Sequence, residues 1–180
     1  MAHKEQQTYC VSIMTKYPSH FQGKNVLDCG SLDINGSNRY LFANCKYLGI
    51  DVGEGKNVDI VTPIHEFNYP DESFDTIIST ECFEHDMYYE KSFKNICRLL
   101  KSGGLFMFTC ATTDRPEHGT LRSETISSPL TAAITGWNNY YKNLTEADIR
   151  AIINVDDIFL IYEFSVEHGH CDLQFWGIKK

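Results

Sequence analysis

Two short apolar stretches that each end in an aspartate constrain the fold more than any other feature of the sequence. The first, residues 25–28, is followed by Gly30, and the second, residues 47–51, ends in Asp51. In a parallel α/β sheet, a glycine after the first strand lets the backbone approach a ligand. An acid after the second strand accepts hydrogen bonds from ribose hydroxyls. The pattern therefore predicts a site for a nucleoside-containing cofactor.

Length and charge narrow the class of protein. The chain has 180 residues, of which 42% are hydrophobic, and this suits one domain over residues 1–180 with a single core. The net charge is −8 and no Lys/Arg cluster is present, so nucleic acid is an unlikely partner. We find no apolar run long enough for a membrane span and no secretory signal, and expect a cytoplasmic protein without membrane contact.

The seven cysteines form no C-x-x-C pair, and most lie in apolar stretches, which is typical of reduced thiols that pack as small hydrophobic residues. The run His168-Gly169-His170-Cys171 has the residue types of metal ligands. We interpret it as a hairpin tip, because no matching group of ligands occurs elsewhere in the sequence. The sequence therefore predicts neither disulfides nor a metal site.

Apolar runs alternate with amphipathic or irregular segments, which predicts an α/β fold. Helices are expected at 5–16 and 86–100, where apolar residues recur at helical spacing. A third is expected at 145–154, where Thr145 and Asp148 form a capping box. Gly103 or Gly104 is expected to cap the second helix. Strands are expected at 25–28, 47–51, 58–61, 74–79, 105–109, 158–164 and 172–178, the last two as an antiparallel hairpin. Residues 1–22 would carry a lid helix, and the irregular residues 110–143 would cover a substrate.

Four motifs in this order resemble those of the class I S-adenosylmethionine-dependent methyltransferases: residues 26–31, 49–51, 73–85 and 99–105. The resemblance implies a Rossmann-like, doubly wound sheet of order 3-2-1-4-5-7-6. In it strand seven is antiparallel and helices cover both faces. It also implies S-adenosyl-L-methionine as the cofactor. The chain would then be one methyltransferase domain.

The resemblance also implies which residues bind the cofactor at the carboxyl ends of strands one, two, three and four. They are Asp28, Gly30, Ser31, Asn35, Asp51, Val52, Ile64, His65, Ser79, Thr80 and Glu81. Two features depart from the family pattern. The loop after Gly30 lacks closely spaced glycines, so Asp33 or Asn35 can add contacts. Pro63 stands where an acid often binds the adenine amino group.

Methyl transfer from a sulfonium is an in-line displacement, so a base is needed only if the acceptor must lose a proton. His85 and His118 are the candidates for that base. Arg115 and Arg122 could hold an anionic group of the acceptor, and Tyr140 and Tyr141 could shape its pocket. Without a further recognition domain, the expected acceptor is a small metabolite or a sugar-containing glycan precursor.

Several alternatives stay open at this point. His85 could instead bond to the backbone at a helix start, and Cys82 is better explained as a buried small residue than as a nucleophile. The chain could be a catalytically silent methyltransferase-like module that binds a partner. It could also be a nicotinamide-dependent oxidoreductase, although it lacks that class's tight glycine turn and Tyr-x-x-x-Lys motif.

Overall fold

The centre of the protein is one sheet of seven strands, seen in a computed structural model that describes residues 3–180. The strands are β1 (Asn25–Cys29), β2 (Lys46–Asp51), β3 (Ile60–Val61), β4 (Phe74–Thr80), β5 (Leu100–Ala111), β6 (Phe159–Glu167) and β7 (Asp172–Lys179). Their order across the sheet is β3-β2-β1-β4-β5-β7-β6. β7 pairs antiparallel with β5 and β6, and the other four neighbouring pairs are parallel. This confirms the Rossmann-like order that the resemblance implied.

Consecutive residues of the central strands point to opposite faces of the sheet, and both faces are apolar. Val26 and Ile78 pack on one face, while their neighbours Leu27 and Ile77 pack on the other; all four are fully buried. Such continuous apolar strands are stable only where both faces are covered. The sheet is accordingly doubly wound.

In the described part of the chain, residues 3–180, five α-helices and four 3₁₀ turns connect or cover the strands. The helices are α1 (Lys4–Lys16), α2 (Tyr89–Leu99), α3 (Pro129–Ala132), α4 (Glu146–Ile152) and α5 (Val155–Ile158), and the turns are Pro18–Phe21, Asn38–Leu41, Ile64–Glu66 and Phe83–His85. Helix α1 packs Cys10 and Ile13 against one face of the sheet. Helices α2 and α4 pack Phe93, Ile96 and Ile149 against the other. The expected helices on both faces are confirmed.

The end of α2 differs from the prediction. No glycine caps the helix, because Leu100 is already extended (ψ 131°) and its N–H donates to the Ile96 carbonyl. Strand β5 begins at once, and Gly103 takes its positive φ of 71° inside an irregular stretch where the pairing with β4 shifts register. The pairing of β5 with β4 therefore determines where α2 ends, although Gly103 and Gly104 are residues that often cap a helix.

Other boundaries agree with the sequence or shift by a few residues. The capping box of Thr145 and Asp148 is present at the start of α4, but the helix ends at Ile152, and α5 begins separately at Val155. Strand β3 keeps only Ile60 and Val61 of the predicted 58–61. Within residues 3–180, no helix combines the length and the apolar composition that a bilayer span requires.

Candidate functional site

A cleft opens at the carboxyl ends of β1, β2 and β4, where parallel strands present their last residues to one edge of the sheet. It encloses about 880 Å³, part of it open to solvent. Asp28 of β1, Asp51 of β2 and Thr80 of β4 line it. Ligand sites of open α/β sheets lie at this edge, where the strand order reverses around β1 and β4. We call this space the cleft.

Asp51 is held in place by two backbone donors. The Leu32 N–H donates to its Oδ2 at 3.0 Å, and the Val52 N–H donates to its Oδ1 at 2.8 Å. Burial raises the pKa of Asp51, while these two hydrogen bonds act in the opposite direction. Since each carboxylate oxygen can accept more than one hydrogen bond, both retain capacity for a ligand in the cleft.

Asp28 is the second acid of the cleft and lies deeper. It is 7% exposed, and its Oδ2 accepts a hydrogen bond of 2.7 Å from the Tyr47 hydroxyl. Burial raises the pKa of Asp28 to about 7, although the Tyr47 bond opposes the shift. Asp28 therefore changes between its neutral and charged forms near neutral pH.

The turn after β1 requires glycine at position 30. Gly30 has φ +78°, and a Cβ there would lie 2.4 Å from the sulfur of Cys82. The N–H groups of Gly30 and Ser31 both donate to the Ile50 carbonyl, at 2.9 and 3.1 Å. They are thus occupied, and the buried Ser31 Oγ, which has no hydrogen-bond partner, is the group this turn offers the cleft.

The loop that replaces the usual glycine-rich segment is fixed by its own polar groups. Asp33 accepts the Gly36 N–H at 2.8 Å and pairs with Lys56 at 2.7 Å. Asn38 then donates to the Thr80 hydroxyl at 3.3 Å, which joins this loop to the end of β4. Asp33 therefore supports the loop, and Asn35 lies on the wall of the cleft.

Two of the predicted cofactor residues lie outside the cleft. Ser79 is fully buried and its hydroxyl donates to the Cys29 carbonyl at 2.8 Å, which links β4 to β1. His65 packs its ring against Tyr88, with ring centroids 4.3 Å apart. The remaining nine predicted residues line the cleft: Asp28, Gly30, Ser31, Asn35, Asp51, Val52, Ile64, Thr80 and Glu81.

Part of the wall comes from residues that the sequence reasoning missed. Residues 127–131 and Trp137 belong to the segment described as irregular, and Asp86 follows the turn after β4. The pair Ser128-Pro129, at the start of α3, is a common helix-start signal and could have indicated a short element here. The long segment after β5 thus closes one side of the cleft.

Glu81 takes a left-handed backbone conformation (φ +53°) and turns its carboxylate inward. Thr109 donates to its Oε1 at 2.8 Å, while His3 and Arg115 lie 3.7 and 3.9 Å from its Oε2. Burial would raise the pKa of Glu81, but the nearby His3 and the Thr109 bond lower it below its ordinary value. Glu81 is therefore an ionised carboxylate in the wall of the cleft.

A second group of polar side chains adjoins the cleft at His85. It consists of Glu84, His85, His118 and Tyr141, which we call the histidine pocket. The two imidazole rings meet edge to face with centroids 5.0 Å apart, and the Tyr141 ring contacts both, at 5.5 and 5.0 Å. The two histidines proposed from the sequence are therefore brought together, and Tyr141 lies beside them.

The histidine pocket contains buried polar groups without partners. Glu84 is fully buried, and within residues 3–180 neither of its carboxylate oxygens has a hydrogen-bond partner; the same holds for both ring nitrogens of His85. Burial raises the pKa of Glu84 to about 8 and lowers that of His85 to about 3. His85 is thus neutral, and the alternative that its ring bonds to the backbone is wrong. Glu84, next to His85 in the sequence, was missed.

The remaining candidates for the acceptor lie outside the lining of the cleft. Arg115 pairs with the buried Asp172 at 3.0 Å, and Arg122 pairs with Glu117 and donates to a backbone carbonyl. Tyr140 is half-buried, and burial raises its pKa to about 12. Both arginines are thus engaged with groups of the protein itself.

Two interpretations that involve cysteines remain: Cys82 as a nucleophile, and the hairpin tip at residues 168–171 as a metal site. Cys82 lines the cleft beside Gly30, and burial raises its pKa well above the ordinary value, so the thiol is neutral and a poor nucleophile. At the β6–β7 hairpin tip, His170 stacks on His3 with ring centroids 4.4 Å apart and pairs with Glu5. All seven cysteines are free thiols.

Comparisons with known proteins agree with this geometry. Residues 27–108 match the family model of a methyltransferase domain. No curated protein matches the chain.

Solved structures of the same fold cover almost the whole chain. A Burkholderia thailandensis 1,6-didemethyltoxoflavin-N1-methyltransferase, bound to 1,6-didemethyltoxoflavin and S-adenosylhomocysteine, is 14% identical. It covers 97% of this chain and 78% of its own, with a TM-score of 0.66. An Aquifex aeolicus S-adenosylmethionine-dependent methyltransferase is 16% identical; the match covers 95% of this chain and 89% of that protein, with a TM-score of 0.61. A Haemonchus contortus phosphoethanolamine N-methyltransferase in complex with S-adenosylhomocysteine is 15% identical; the match covers 96% of this chain and 53% of that protein, with a TM-score of 0.64.

Proposed function

We propose that the chain is a class I S-adenosylmethionine-dependent methyltransferase that methylates a small molecule or a sugar-containing glycan precursor. The acceptor would enter from the side of the cleft that His85 and residues 127–131 form. The cofactor would occupy the cleft itself. S-adenosyl-L-methionine supplies an electrophilic methyl group on a sulfonium sulfur.

One observation carries the proposal: two carboxyl groups, those of the buried Asp28 and the half-buried Asp51, face one cleft from the ends of adjacent parallel strands. The donor set fits an adenosyl cofactor. Asp51 has acceptor capacity for two ribose hydroxyls, and Asp28 can neutralise a cationic amino group. The unpartnered Ser31 hydroxyl adds a further polar group.

The protein's part in the reaction is mainly to position the reactants. Asp51 and Asp28 would fix the two ends of the cofactor, while Ile64 and Leu130 offer apolar contacts. Residues 127–131 would limit the access of water. In an in-line displacement, the correct alignment of acceptor and methyl group can supply most of the rate acceleration.

His85 is the best candidate for a group that touches the acceptor. It lines the cleft, its pKa of about 3 keeps it neutral, and its two ring nitrogens have no protein partner. A neutral imidazole can accept a hydrogen bond from a hydroxyl or amine. It would orient the acceptor and leave full removal of the proton to a stronger base, since a base of such low pKa is weak.

A small acceptor is favoured by the walls of the cleft. Residues 127–131 and Trp137 line it together with His85, so the space is partly enclosed. Two of the solved neighbours named above are methyltransferases in complex with small molecules, 1,6-didemethyltoxoflavin and phosphomonomethylethanolamine. A partly enclosed cleft suits a metabolite or a single sugar unit more than a polymer.

Isothermal calorimetry of the wild-type protein tests the cofactor. S-adenosylmethionine and S-adenosylhomocysteine should bind with dissociation constants on the order of micromolar, and NAD should not bind measurably. Incubation with methyl-labelled cofactor and a library of metabolites and nucleotide sugars should then label one compound class. Binding of NAD alone would refute the proposal. Cofactor binding without labelling of any acceptor would instead favour a silent binding module.

A further inference from the structure

The histidine pocket contains an unusual concentration of buried polar atoms without hydrogen-bond partners. Among the described residues, fifteen such side-chain atoms occur, and five of them belong to Glu84, His85 and His118. Each unsatisfied buried polar group is costly, so native proteins pair nearly all of them, with water or an ion where no protein group serves. Five in one place indicate that a ligand completes this pocket.

The hydrogen bonding of His118 shows what kind of ligand is missing. Its Nδ1 lies 3.1 Å from the Pro116 carbonyl oxygen. A carbonyl can only accept, so Nδ1 carries the hydrogen, and in the neutral ring Nε2 then has a free lone pair. That lone pair is directed at Glu84 Oε1, 3.9 Å away, which is itself an acceptor when ionised. Two electron-pair donors at this distance are stabilised by a proton or by a metal cation between them.

The three side chains form a compact set of donors. One nitrogen or oxygen each from Glu84, His85 and His118 lies within 4.8 Å of the others. Around a first-row divalent metal, ligand bonds of about 2.0 to 2.2 Å place neighbouring donors roughly 3 to 3.5 Å apart, so a contraction of about 1 Å would complete the set. Side-chain rotation in loops can supply such a movement.

We propose that Glu84, His85 and His118 bind one divalent transition-metal cation at the edge of the cleft. Two imidazoles and one carboxylate on one side of the ion are the donor set of many zinc and non-haem iron sites, and they leave positions open for a further ligand. The Nδ1–H bond of His118 to a backbone carbonyl is the outer contact that usually orients a metal-binding histidine. This inference departs from the sequence-based expectation of no metal.

The fold keeps the two loops of the pocket at close distance. Glu84 and His85 follow β4, whereas His118 follows β5, and these strands are parallel neighbours in the sheet. Next to His118, Gly119 has φ +67°, and a Cβ there would lie 2.7 Å from Cε1 of His85. The loop after β5 can therefore approach the His85 ring only because residue 119 is glycine.

A role for the cation in methyl transfer rests on the proposed function, and in it His85 acts on the acceptor through the metal instead of through a direct hydrogen bond. An acceptor oxygen or nitrogen bound at an open position of the metal would lose its proton to solvent water more readily. Its lone pair would then form the bond to the methyl carbon, while the electrons of the carbon–sulfur bond stay on sulfur. The product would be S-adenosylhomocysteine and the methylated acceptor.

Metal binding can be measured without any acceptor. Protein freed of metal by a chelator and then titrated with Co²⁺ should bind about one equivalent and gain visible absorption bands. Zn²⁺ should compete for the same site and raise the Tm of the wild-type protein by about 5 °C. The variants Glu84→Gln and His118→Asn should bind Co²⁺ at least about 100-fold more weakly.

Two matched variants serve as controls. Glu54→Gln changes an exposed acid in a turn, and His170→Asn removes a histidine from the other His-rich group, at the hairpin tip. Both should keep the Co²⁺ affinity of the wild type within about threefold. Calorimetry with S-adenosylhomocysteine on every variant separates this proposal from the proposed function, because its binding should persist in Glu84→Gln and His118→Asn.

The proposal is wrong if the wild-type protein shows neither a cobalt spectrum nor a change of Tm with Zn²⁺. It is also wrong if Glu84→Gln and His118→Asn bind Co²⁺ as the wild type does, or if only His170→Asn loses it. Should one pocket variant fail to fold, the other pocket variant and His170→Asn, each compared with the wild type, decide between the two outcomes. Failure of S-adenosylhomocysteine binding with intact Co²⁺ binding would refute the proposed function and leave the metal site standing.

Discussion

The cleft and the histidine pocket meet at His85, yet their buried polar groups are stabilised in different ways. In the cleft, Asp51 accepts two backbone N–H groups and Asp28 accepts the Tyr47 hydroxyl. In the histidine pocket, the carboxylate of Glu84 and both ring nitrogens of His85 have no partner. The protein therefore organises the cleft by itself, whereas the pocket depends on what it binds.

This difference predicts how the two regions respond to ligands. A site whose donors are already fixed loses little conformational entropy on binding, so the shape of the cleft should be nearly the same with and without cofactor. A ligand that binds in a pocket with unsatisfied polar groups forms new contacts and also removes the free-energy cost of burying those groups without partners. The following predictions test whether the two regions are separable.

The largest expected effect is that of Asp51→Ala on cofactor binding. Loss of two charge-assisted hydrogen bonds, each worth roughly 2 kcal/mol, should weaken S-adenosylhomocysteine about 1,000-fold, as measured by calorimetry. The Co²⁺ affinity of the histidine pocket should stay within about threefold of the wild-type value, since Asp51 is not among its ligands. Asp71→Ala, which removes an exposed acid paired with Arg98, is the matched control and should change neither affinity.

Either of two results would break the comparison. If Asp51→Ala bound S-adenosylhomocysteine as tightly as the wild type does, the cofactor would not depend on this carboxylate. If it lost Co²⁺ binding as well while its circular dichroism was unchanged, the two regions would form one coupled site.

The next effect is that of Asp28→Asn on stability. The pKa of Asp28 is about 7 in the folded protein and near 3.8 when unfolded, so the unfolded chain ionises first and the wild type loses stability as pH rises from about 4 to 7. Asparagine cannot ionise. The variant should therefore be more stable than the wild type by roughly 4 kcal/mol at pH 8, and nearly equal to it at pH 3.5.

Urea denaturation at the two pH values measures this difference, with Asp71→Asn as the exposed control. The same variant should bind S-adenosylhomocysteine more weakly at pH 8, because the charge opposite the amino group is lost. A gain in stability with a loss of affinity would mean that Asp28 is kept for binding at a cost to the fold. A variant less stable than the wild type at pH 8 would contradict this explanation.

The two regions also differ in how far the sequence predicts them. Asp28 and Asp51 end strands, and the register of a parallel sheet then fixes where their side chains lie. The hairpin and the capping box at Thr145 followed from local patterns in the same way, whereas the order of the strands followed from the resemblance to the methyltransferases. The two aspartates of the cleft were therefore predictable.

The histidine pocket was only partly predictable because its members come from loops. His85 and His118 were candidates by residue type, but their approach depends on Gly119 and on a segment with no periodic pattern. The unpaired state of Glu84 is a property of its surroundings, which no local motif records. For the same reason Arg115 and Arg122 were expected to bind an anion, whereas the fold pairs them with Asp172 and Glu117.

His3 connects the start of α1 to the wall of the cleft through an ionic cluster. Its Nε2 lies 2.9 Å from Asp172 of β7 and 3.7 Å from Glu81. Glu5 on its own helix is 3.3 Å away, and the His170 ring stacks on it. Burial alone would lower the pKa of His3, but Asp172 and Glu81 outweigh it and raise the pKa to about 10.

The smallest effect is expected for His3→Asn, and it should depend on pH. Because the pKa rises from about 6.5 in the unfolded chain to about 10 in the fold, the stabilisation is complete below pH 6.5 and is lost as pH rises through 10. The ring is partly exposed, so solvent screening reduces the effect to about 1 kcal/mol. Thermal unfolding should show the variant about 3 °C below the wild type at pH 6 and equal to it at pH 10.5.

His168→Asn, at an exposed position of the hairpin tip, should match the wild type at both pH values. A deficit in His3→Asn of the same size at pH 6 and pH 10.5 would show that His3 contributes by packing rather than by charge. If the deficit instead vanishes at high pH while S-adenosylhomocysteine binding is unchanged throughout, the ionic cluster stabilises α1 and leaves the cleft independent. The ionic cluster around His3 would then be a third separable region, because the cleft would bind the cofactor whether the histidine pocket or this cluster is altered.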